Sequence, residues 1–352
     1  MQFVEPYVQA IYEQDNFKRI EICGKTCYKS EANITETSAY PFFQKMCKSG
    51  HTSVLEHSAI FVRSHTPEAY LELLSILNAY TEDQGLPHYI RYSVFDGNET
   101  FYKTERGICT SKEHLFSGNI RAWRNIIERF NGEYILRDLF SDHPAFSDIF
   151  FNADKEQFGE ERALDIQRID SIEYKEYDKS MIEVVNSIPT DTSEFKYADM
   201  HNIATLKIVG DRGLIDEFAR HRSFGISVES SRYCNYSGNG VTYCFPFWFD
   251  KVKKEPLYAS LGGLFGNICY DAEKGYQEIM EKIKIPQIAR GSLNLWTKSE
   301  IALTGTIDMW KRLINLRDSP AAHPEAQKVS KLIEIALVEE LGVKDYWGVV
   351  KA

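Results

Sequence analysis

The sequence predicts an α/β chain of two related domains, and three observations carry that reading. At 352 residues the chain is longer than one small core serves, so two cores are expected. Strand-like alternation and helix-like periodicity follow one another along it. One pattern also occurs twice: SGNIRAWRNIIERF (117–130) aligns without gaps on TGTIDMWKRLINLR (304–317), with Gly118/Gly305, Ile120/Ile307, Trp123/Trp310 and Ile127/Ile314 identical. Ser117/Thr304, Arg124/Lys311 and Ile126/Leu313 are similar pairs. Before each copy stand a histidine (His57 or His201), a strand and a helix in the same order, the pattern of a tandem duplication. The expected domains are 1–155 and 165–352, joined within the aperiodic, aromatic and acidic stretch from about 131 to 168.

Taken in order, AYPFFQKMCKSG reads as a helix stopped at Gly50, where a glycine suits the cap. SAIFVRS alternates as a strand. PEAYLELLSILNAY opens on Pro67, a favoured first helical residue. GNIRAWRNIIERF is a further helix. In the second half HNIATLKIV is a strand, and DRGLIDEFARHR is a helix with Asp211 near its start and basic residues at its end, matching the helix dipole. A loop rich in glycine and serine follows, then the strand VTYCFPF. PLYASLGGLFGNICYDAEKGYQEIMEKI is a long helix, and AAHPEAQKVSKLIEIALVEELG an amphipathic one ending at Gly342.

Composition narrows the function. Hydrophobic residues make up 43% and charged residues 26%, ordinary for a globular protein, and there is no apolar run of about 18 residues to span a membrane. The start, MQFVEPYVQAIYEQDNFKR, has early acids and no apolar core, so it is not a secretory signal. Seven cysteines, an odd number without a CxxC pair, argue against a disulfide framework or a zinc site and fit a reducing cytoplasm. A net charge of -10 argues against broad binding to nucleic-acid backbone. It leaves open a small anion held by a local basic pocket.

RHRSFGISVESSRY (220–233) is the basic exception in this acidic chain. Arg220, His221 and Arg222 at a helix end read first as cations on its C-terminal dipole. That does not account for Ser230, Arg232 and Tyr233 ten residues on. Arginine forks bind phosphate in bidentate fashion and hydroxyls add neutral donors, so a loop dense in both reads as a phosphate cradle.

Arg220-His221-Arg222, seven residues, Ser230 and then Arg232-Tyr233 resembles the signature of the flavin-dependent thymidylate synthases. GKTCYKSE, GHTSVLEH (50–57), ARGSLNLWTKSEIALTG and NLRDSPAAHPEAQ resemble further segments of that family in the same order. The resemblance implies a mainly antiparallel sheet with helices in each half. It implies dUMP as substrate, methylene-tetrahydrofolate as carbon donor, and hydride passed from NADPH through FAD, with no protein nucleophile. By it, Ser230, Arg232, Arg290 and Arg317 hold the nucleotide, Glu217 faces it, and Arg317 and Ser230 are the catalytic candidates. Arg220, His221, Arg222, His51, Ser53, Glu56, Asn119 and Arg121 fall on flavin and folate positions. Plainer roles compete: His51 as a helix stop, Glu56 as a solvated loop acid, Asn119 as an N-cap, Arg121 as a first-turn surface cation, Arg317 as a C-terminal cation.

The chain departs from the family in two ways. His57 and Arg220 stand far apart, with SGNIRAWRN between them rather than after the signature. A duplication accounts for both, with complementary losses: Asn119 and Arg121 become Thr306 and Asp308, while His51, Ser53 and Glu56 correspond to Phe195, Tyr197 and Met200. One composite site per chain, in a homodimer imitating the family's homotetramer, is therefore expected. Second, Val228 precedes Glu229 and Ser230 where the family often has Asn-Glu one place earlier. This keeps two other readings open, flavin-dependent modification of another pyrimidine nucleotide and a non-catalytic nucleotide-binding relic.

Overall fold

The computed structural model describes residues 1–84, 90–104, 107–158, 182–185 and 198–343, with side chains omitted for 91–113, 185, 198 and 199. The chain divides into two units: Met1–His57 with Ile203–Ala352, and Ser58–Asn202. Residues 1–57, which the sequence reading places in the first domain, thus pack with the second half. Phe195 and Tyr197 lie outside the described residues.

The first unit begins with strands β1 (Gln2–Val4) and β2 (Tyr7–Ala10), then helices α1 (Asn16–Thr26) and α2 (Ala39–Lys48). Asp15 starts α1 by accepting from the Lys18 N–H, and α2 stops at Gly50 with φ +71°, as the glycine stop predicts. The second unit follows: β3 (Ile60–Ser64), α3 (Pro67–Gln84), β4 (Arg91–Thr104), β5 (Gly107–Gly118), α4 (Ile120–Arg129), α5 (Tyr134–Phe140), α6 (Ser147–Phe158) and β6 (Ile182–Val185). The stretch from 134 to 158, expected to be aperiodic, is helical. Its helices are short, and the buried Ile135, Leu136, Phe140, Phe146 and Phe150 are too few to set a period. The chain then returns to the first unit through β7 (Ile203–Asp211), α7 (Arg212–Phe218), β8 (Gly225–Val228), β9 (Thr242–Cys244), α8 (Pro256–Ile283), β10 (Lys298–Thr306), α9 (Ile307–Arg317) and α10 (Pro324–Ile335).

Each unit holds a four-stranded antiparallel sheet, ordered β2-β7-β10-β8 in the first and β6-β3-β5-β4 in the second. β1 and β9 form a separate parallel pair. The mixed α/β class with antiparallel sheets is as the sequence reading expects. β10 carries no alternation because it is central and buried at eight of its nine positions, so both faces favour apolar or satisfied groups. Behind it Trp310 is fully buried and donates from its indole N–H to the Ala204 carbonyl at 3.1 Å. In the second unit Trp123 is likewise fully buried, with Phe116, Leu73 and Ile127 also inside. Among the described residues no helix is long and apolar enough to cross a membrane.

Candidate functional site

The basic loop begins where α7 ends. Asp211 opens that helix, its Oδ1 accepting from the Leu214 N–H at 2.7 Å, a standard N-cap. Only nine residues later Arg220-His221-Arg222 turns out of it, with Arg222 N–H donating to the Arg220 carbonyl and Phe224 N–H to that of His221. Phe224 is buried and stacks edge-on against Trp310 at 4.7 Å. That contact anchors the turn while Arg220 and Arg222 stay exposed.

Arg317, last residue of α9, reaches back to this turn. Its Nε donates to His221 Nε2 at 3.0 Å, one terminal nitrogen to Glu217 Oε2 at 2.8 Å, and the other to the Glu217 carbonyl at 2.7 Å. Burial, then the guanidinium, holds His221 down to about 4. It is therefore neutral at pH 7, and its Nε2 is the acceptor. A guanidinium has five N–H groups. Three are engaged, so about two remain for a ligand. Among the predicted site residues, Glu217, His221 and Arg317 are in direct contact.

Beyond β8 the loop is pinned from below. Glu229 is 3% exposed. It accepts from Tyr236 Oη at 2.7 Å and Lys298 Nζ at 3.1 Å, with Lys29 at 3.5 Å. Next to it Glu300 takes Lys29, Lys298 and Lys207, and Lys207 also reaches Glu31 at 3.0 Å. Burial raises the Glu300 carboxyl, but Lys298, Lys207 and Lys29 overcome it and leave it at about 2. Three lysines face three carboxylates here, so the cluster is balanced and offers no surplus charge. Above it Ser230 N–H donates to the Cys27 carbonyl at 2.9 Å, and Arg212 donates to Ser231 Oγ at 3.1 Å. Arg232 is exposed, its guanidinium 5.3 Å from the Tyr233 ring centroid and its Nε 3.4 Å from Gln287 Oε1. Arg290, one turn past Gln287, is also exposed. Val228 sits on β8 opposite Ile301.

The segment with His51, Ser53 and Glu56 packs in the same unit as this loop. It is a short 3₁₀ turn, Thr52–Glu56, with His51 and Ser53 exposed and Glu56 half-buried. A Cβ added to Gly225 would lie 2.8 Å from the Glu56 carbonyl oxygen, so only glycine lets these two backbones approach. His57 is fully buried, with Nδ1 2.8 Å from Thr304 Oγ1 and Nε2 2.9 Å from Ser227 Oγ. Sequence reasoning used His57 only as an alignment mark and missed Glu229, Glu300 and the lysines. Glu229 adjoins Ser230, a signal that was available. Lys29, Lys207 and Lys298 share no local pattern.

Asn119 and Arg121 lie in the second unit. Asn119 is 4% exposed and caps α4, its Oδ1 accepting from the Ala122 N–H at 2.8 Å. Its carbonyl is thus committed, leaving the amide N–H₂. Arg121 is half-buried in the first turn.

Among the described residues the buried cysteines offer no nucleophile. Burial pushes Cys23 up to about 12 and Cys269 up to about 11, and it also raises Cys27 and Cys244. These thiols stay protonated at neutral pH, whereas the thiolate is the nucleophile. Among the described residues no group of three or more His, Cys, Asp or Glu could hold a metal ion.

The basic loop, the β10 strand behind it and the Arg317 clamp all fall in one stretch of chain that matches a known family. Residues 193–340 match the thymidylate synthase complementing protein family, Thy1. The Thy1 segment contains Glu217, Arg220, His221, Arg222, Ser230, Arg232, Arg290 and Arg317. Comparison with curated proteins finds no match. Among solved structures the chain is similar to the UMP/dUMP methylase PolB from Streptomyces cacaoi bound with 5-Br dUMP. The identity is 20%, the TM-score 0.35, with 40% of this chain and 69% of that one covered. The same methylase bound with 5-Br UMP gives 18% identity and a TM-score of 0.36, covering 40% and 71%.

Proposed function

We propose that the chain is a flavin-dependent thymidylate synthase, converting dUMP to dTMP with methylene-tetrahydrofolate as carbon donor and NADPH as reductant through FAD. What supports the reading is one observation: the 51–56 segment and the Arg220–Arg232 loop, far apart in sequence, pack back to back at Glu56 and Gly225 within the unit that carries the Thy1 segment.

The nucleotide phosphate goes to Ser230, Arg232 and Arg290, whose two guanidiniums are exposed and suit a doubly charged group. Arg317 presents its remaining N–H groups to the uracil ring, where a fixed cation stabilises negative charge as it develops. Glu217 and neutral His221 hold Arg317 and keep its fork from turning. Ser230 and Arg317 are the catalytic residues in this reading. The donor set also fits FAD: exposed Arg220 and Arg222 suit its diphosphate, and His51, Ser53 and Glu56 stand on the segment that touches the loop. His221, at the base of the same loop, completes the residues of this unit assigned to it. FAD, when bound, supplies the redox chemistry that no side chain here offers. A single arginine loop per chain fits one FAD per chain, and the reading takes two such chains as a homodimer.

The test is to reconstitute purified protein with FAD and follow release of tritium from 5-tritiated dUMP with methylene-tetrahydrofolate and NADPH. Release of tritium with dTMP formation is expected. Arg232→Ala should weaken dUMP by roughly 2–5 kcal/mol, the usual loss when one partner of a desolvated charge pair is removed. Deoxyuridine, lacking the phosphate, should bind both proteins alike. No flavin uptake and equal dUMP affinity in the variant would end the proposal.

A further inference from the structure

We infer that the chain consists of two copies of one repeat that have exchanged their opening strands, so that the arginine-bearing unit is completed by the N-terminal segment of the other copy. The inference concerns how the site is assembled and is independent of the substrate. It begins with register. Pairing His57 with His201 equates β3 with β7 at an offset of 144 residues, and pairing Ser117 with Thr304 equates β5 with β10 at an offset of 187. Nothing requires these two alignments to agree in three dimensions, yet they do. Phe61 faces Ser117 and Thr205 faces Thr304; Val62 faces Phe116 and Leu206 faces Leu303.

The third strand agrees as well. β4 faces β5 as β8 faces β10: Arg91, Tyr92, Ser93 and Val94 lie opposite Ser117, Phe116, Leu115 and His114, while Gly225, Ile226, Ser227 and Val228 lie opposite Thr304, Leu303, Ala302 and Ile301. Within these matched quartets Ser93 and Val94 correspond to Ser227 and Val228.

The fourth strand shows the exchange. β7, from the second copy, is flanked by β2 from the first: Val8, Gln9 and Ala10 face Ile208, Lys207 and Leu206. β3, from the first copy, is flanked by β6 from the second: Ile182, Glu183 and Val184 face Ser64, Arg63 and Val62. Under the same offset Val8, Gln9 and Ala10 correspond to Ile182, Glu183 and Val184, one apolar-polar-apolar pattern twice. The opening strand of each copy thus sits in the sheet of the other.

The histidines follow the same rule. His57, of the first copy, bonds Thr304 of the second at 2.8 Å; His201, of the second, bonds Ser117 of the first at 2.7 Å through its own Nδ1. Both histidines are fully buried. Residue i of one copy meets j of the other, and j of the first meets i of the second, so the exchange is reciprocal. Here it is written into one chain. Only one unit kept the anion loop. Where the second copy turns out of α7 into Arg220-His221-Arg222, the first continues α3 to Gln84 with Ile76 and Leu77 buried. Phe130 stands where the second copy has Arg317.

The test uses the full-length chain with a protease site inserted near residue 170, cut after folding. The cysteine pairs V8C/I208C and V62C/V184C each join the copies across an observed strand pair. V8C/S64C is the pair that unexchanged copies would bring together. After mild oxidation, alkylation of remaining thiols and denaturation, the first two nicked variants should run as one full-mass band that reductant splits, and the third as two halves. Crosslinking of V8C/S64C without crosslinking of V8C/I208C would overturn the inference. The unmodified nicked chain guards against misfolded variants. Its halves should co-elute in native buffer and part only in denaturant, and halves that separate natively with their β-sheet signal intact would refute the exchange.

Discussion

Replacing His57 by glutamine tests the buried heart of the site unit. The ring is fully enclosed, with hydroxyls on both nitrogens and the Arg19 guanidinium donating to its own carbonyl at 3.0 Å. Burial, then Arg19, lowers its pKa from 6.5 to about 3. The unfolded chain therefore binds a proton between those values that the native protein refuses. Stability from this group is fully present above pH 6.5 and falls as pH drops. The linkage slope for one proton is about 1.4 kcal/mol per pH unit. That amounts to about 2 kcal/mol between pH 6.5 and 5, and about 5 kcal/mol by pH 3. His57→Gln has no such proton. At pH 7.5 it should cost about 1–3 kcal/mol through imperfectly replaced hydrogen bonds. The informative quantity is the difference between the two proteins in urea-unfolding free energy, measured from pH 7.5 down to 5. It should be flat above pH 6.5 and shrink by about 1.4 kcal/mol per unit below it. Parallel curves would show that His57 titrates normally in the folded state and would refute the argument.

Three further outcomes follow from the same geometry. Arg317→Met should raise the His221 pKa above about 4 while leaving it below the free value, since burial persists; an NMR titration of the ring proton reads this. Glu300→Gln leaves Lys29, Lys207 and Lys298 short of a buried carboxylate and should cost roughly 3–5 kcal/mol, the range for breaking a buried ion pair, seen as a lowered thermal midpoint. Gly225→Ala drives a Cβ to 2.8 Å from the Glu56 carbonyl oxygen, and overpacking of this kind costs roughly 1–3 kcal/mol. A denaturant midpoint equal to wild type would show that the two segments are not in contact.

The sequence showed most where period and chemistry coincide. Trp123 and Trp310 mark equivalent buried positions, and Asp211 announces its helix. The arginine loop was legible because its composition contradicts the acidic chain around it. β10 was hidden because a strand covered on both faces alternates in nothing. The discontinuity of the first unit was hidden for a different reason. Periodicity reports that a strand exists without naming its partner, so the pairing of β2 with β7 could not be read from it. The Glu229–Glu300 lysine cluster was invisible because its members come from α1's exit, β7 and β10 and meet only when the chain folds.

The discontinuous first unit also sets an order of events during synthesis. Ala10 pairs with Leu206, so β2 leaves the ribosome 196 residues before its neighbour. Translation at about 5–20 residues per second makes that wait roughly 10–40 seconds. It lengthens by another hundred residues before Thr306 closes β10. Loops closed over such distances make for slow folding. The second unit, complete once β6 has emerged, finishes first, while the N-terminal 57 residues stay uncommitted. A released chain ending at Asn202 would hold one finished sheet and a free strand with no place to go. Chaperone demand should therefore concentrate on the leading end of the polypeptide rather than on the trailing one.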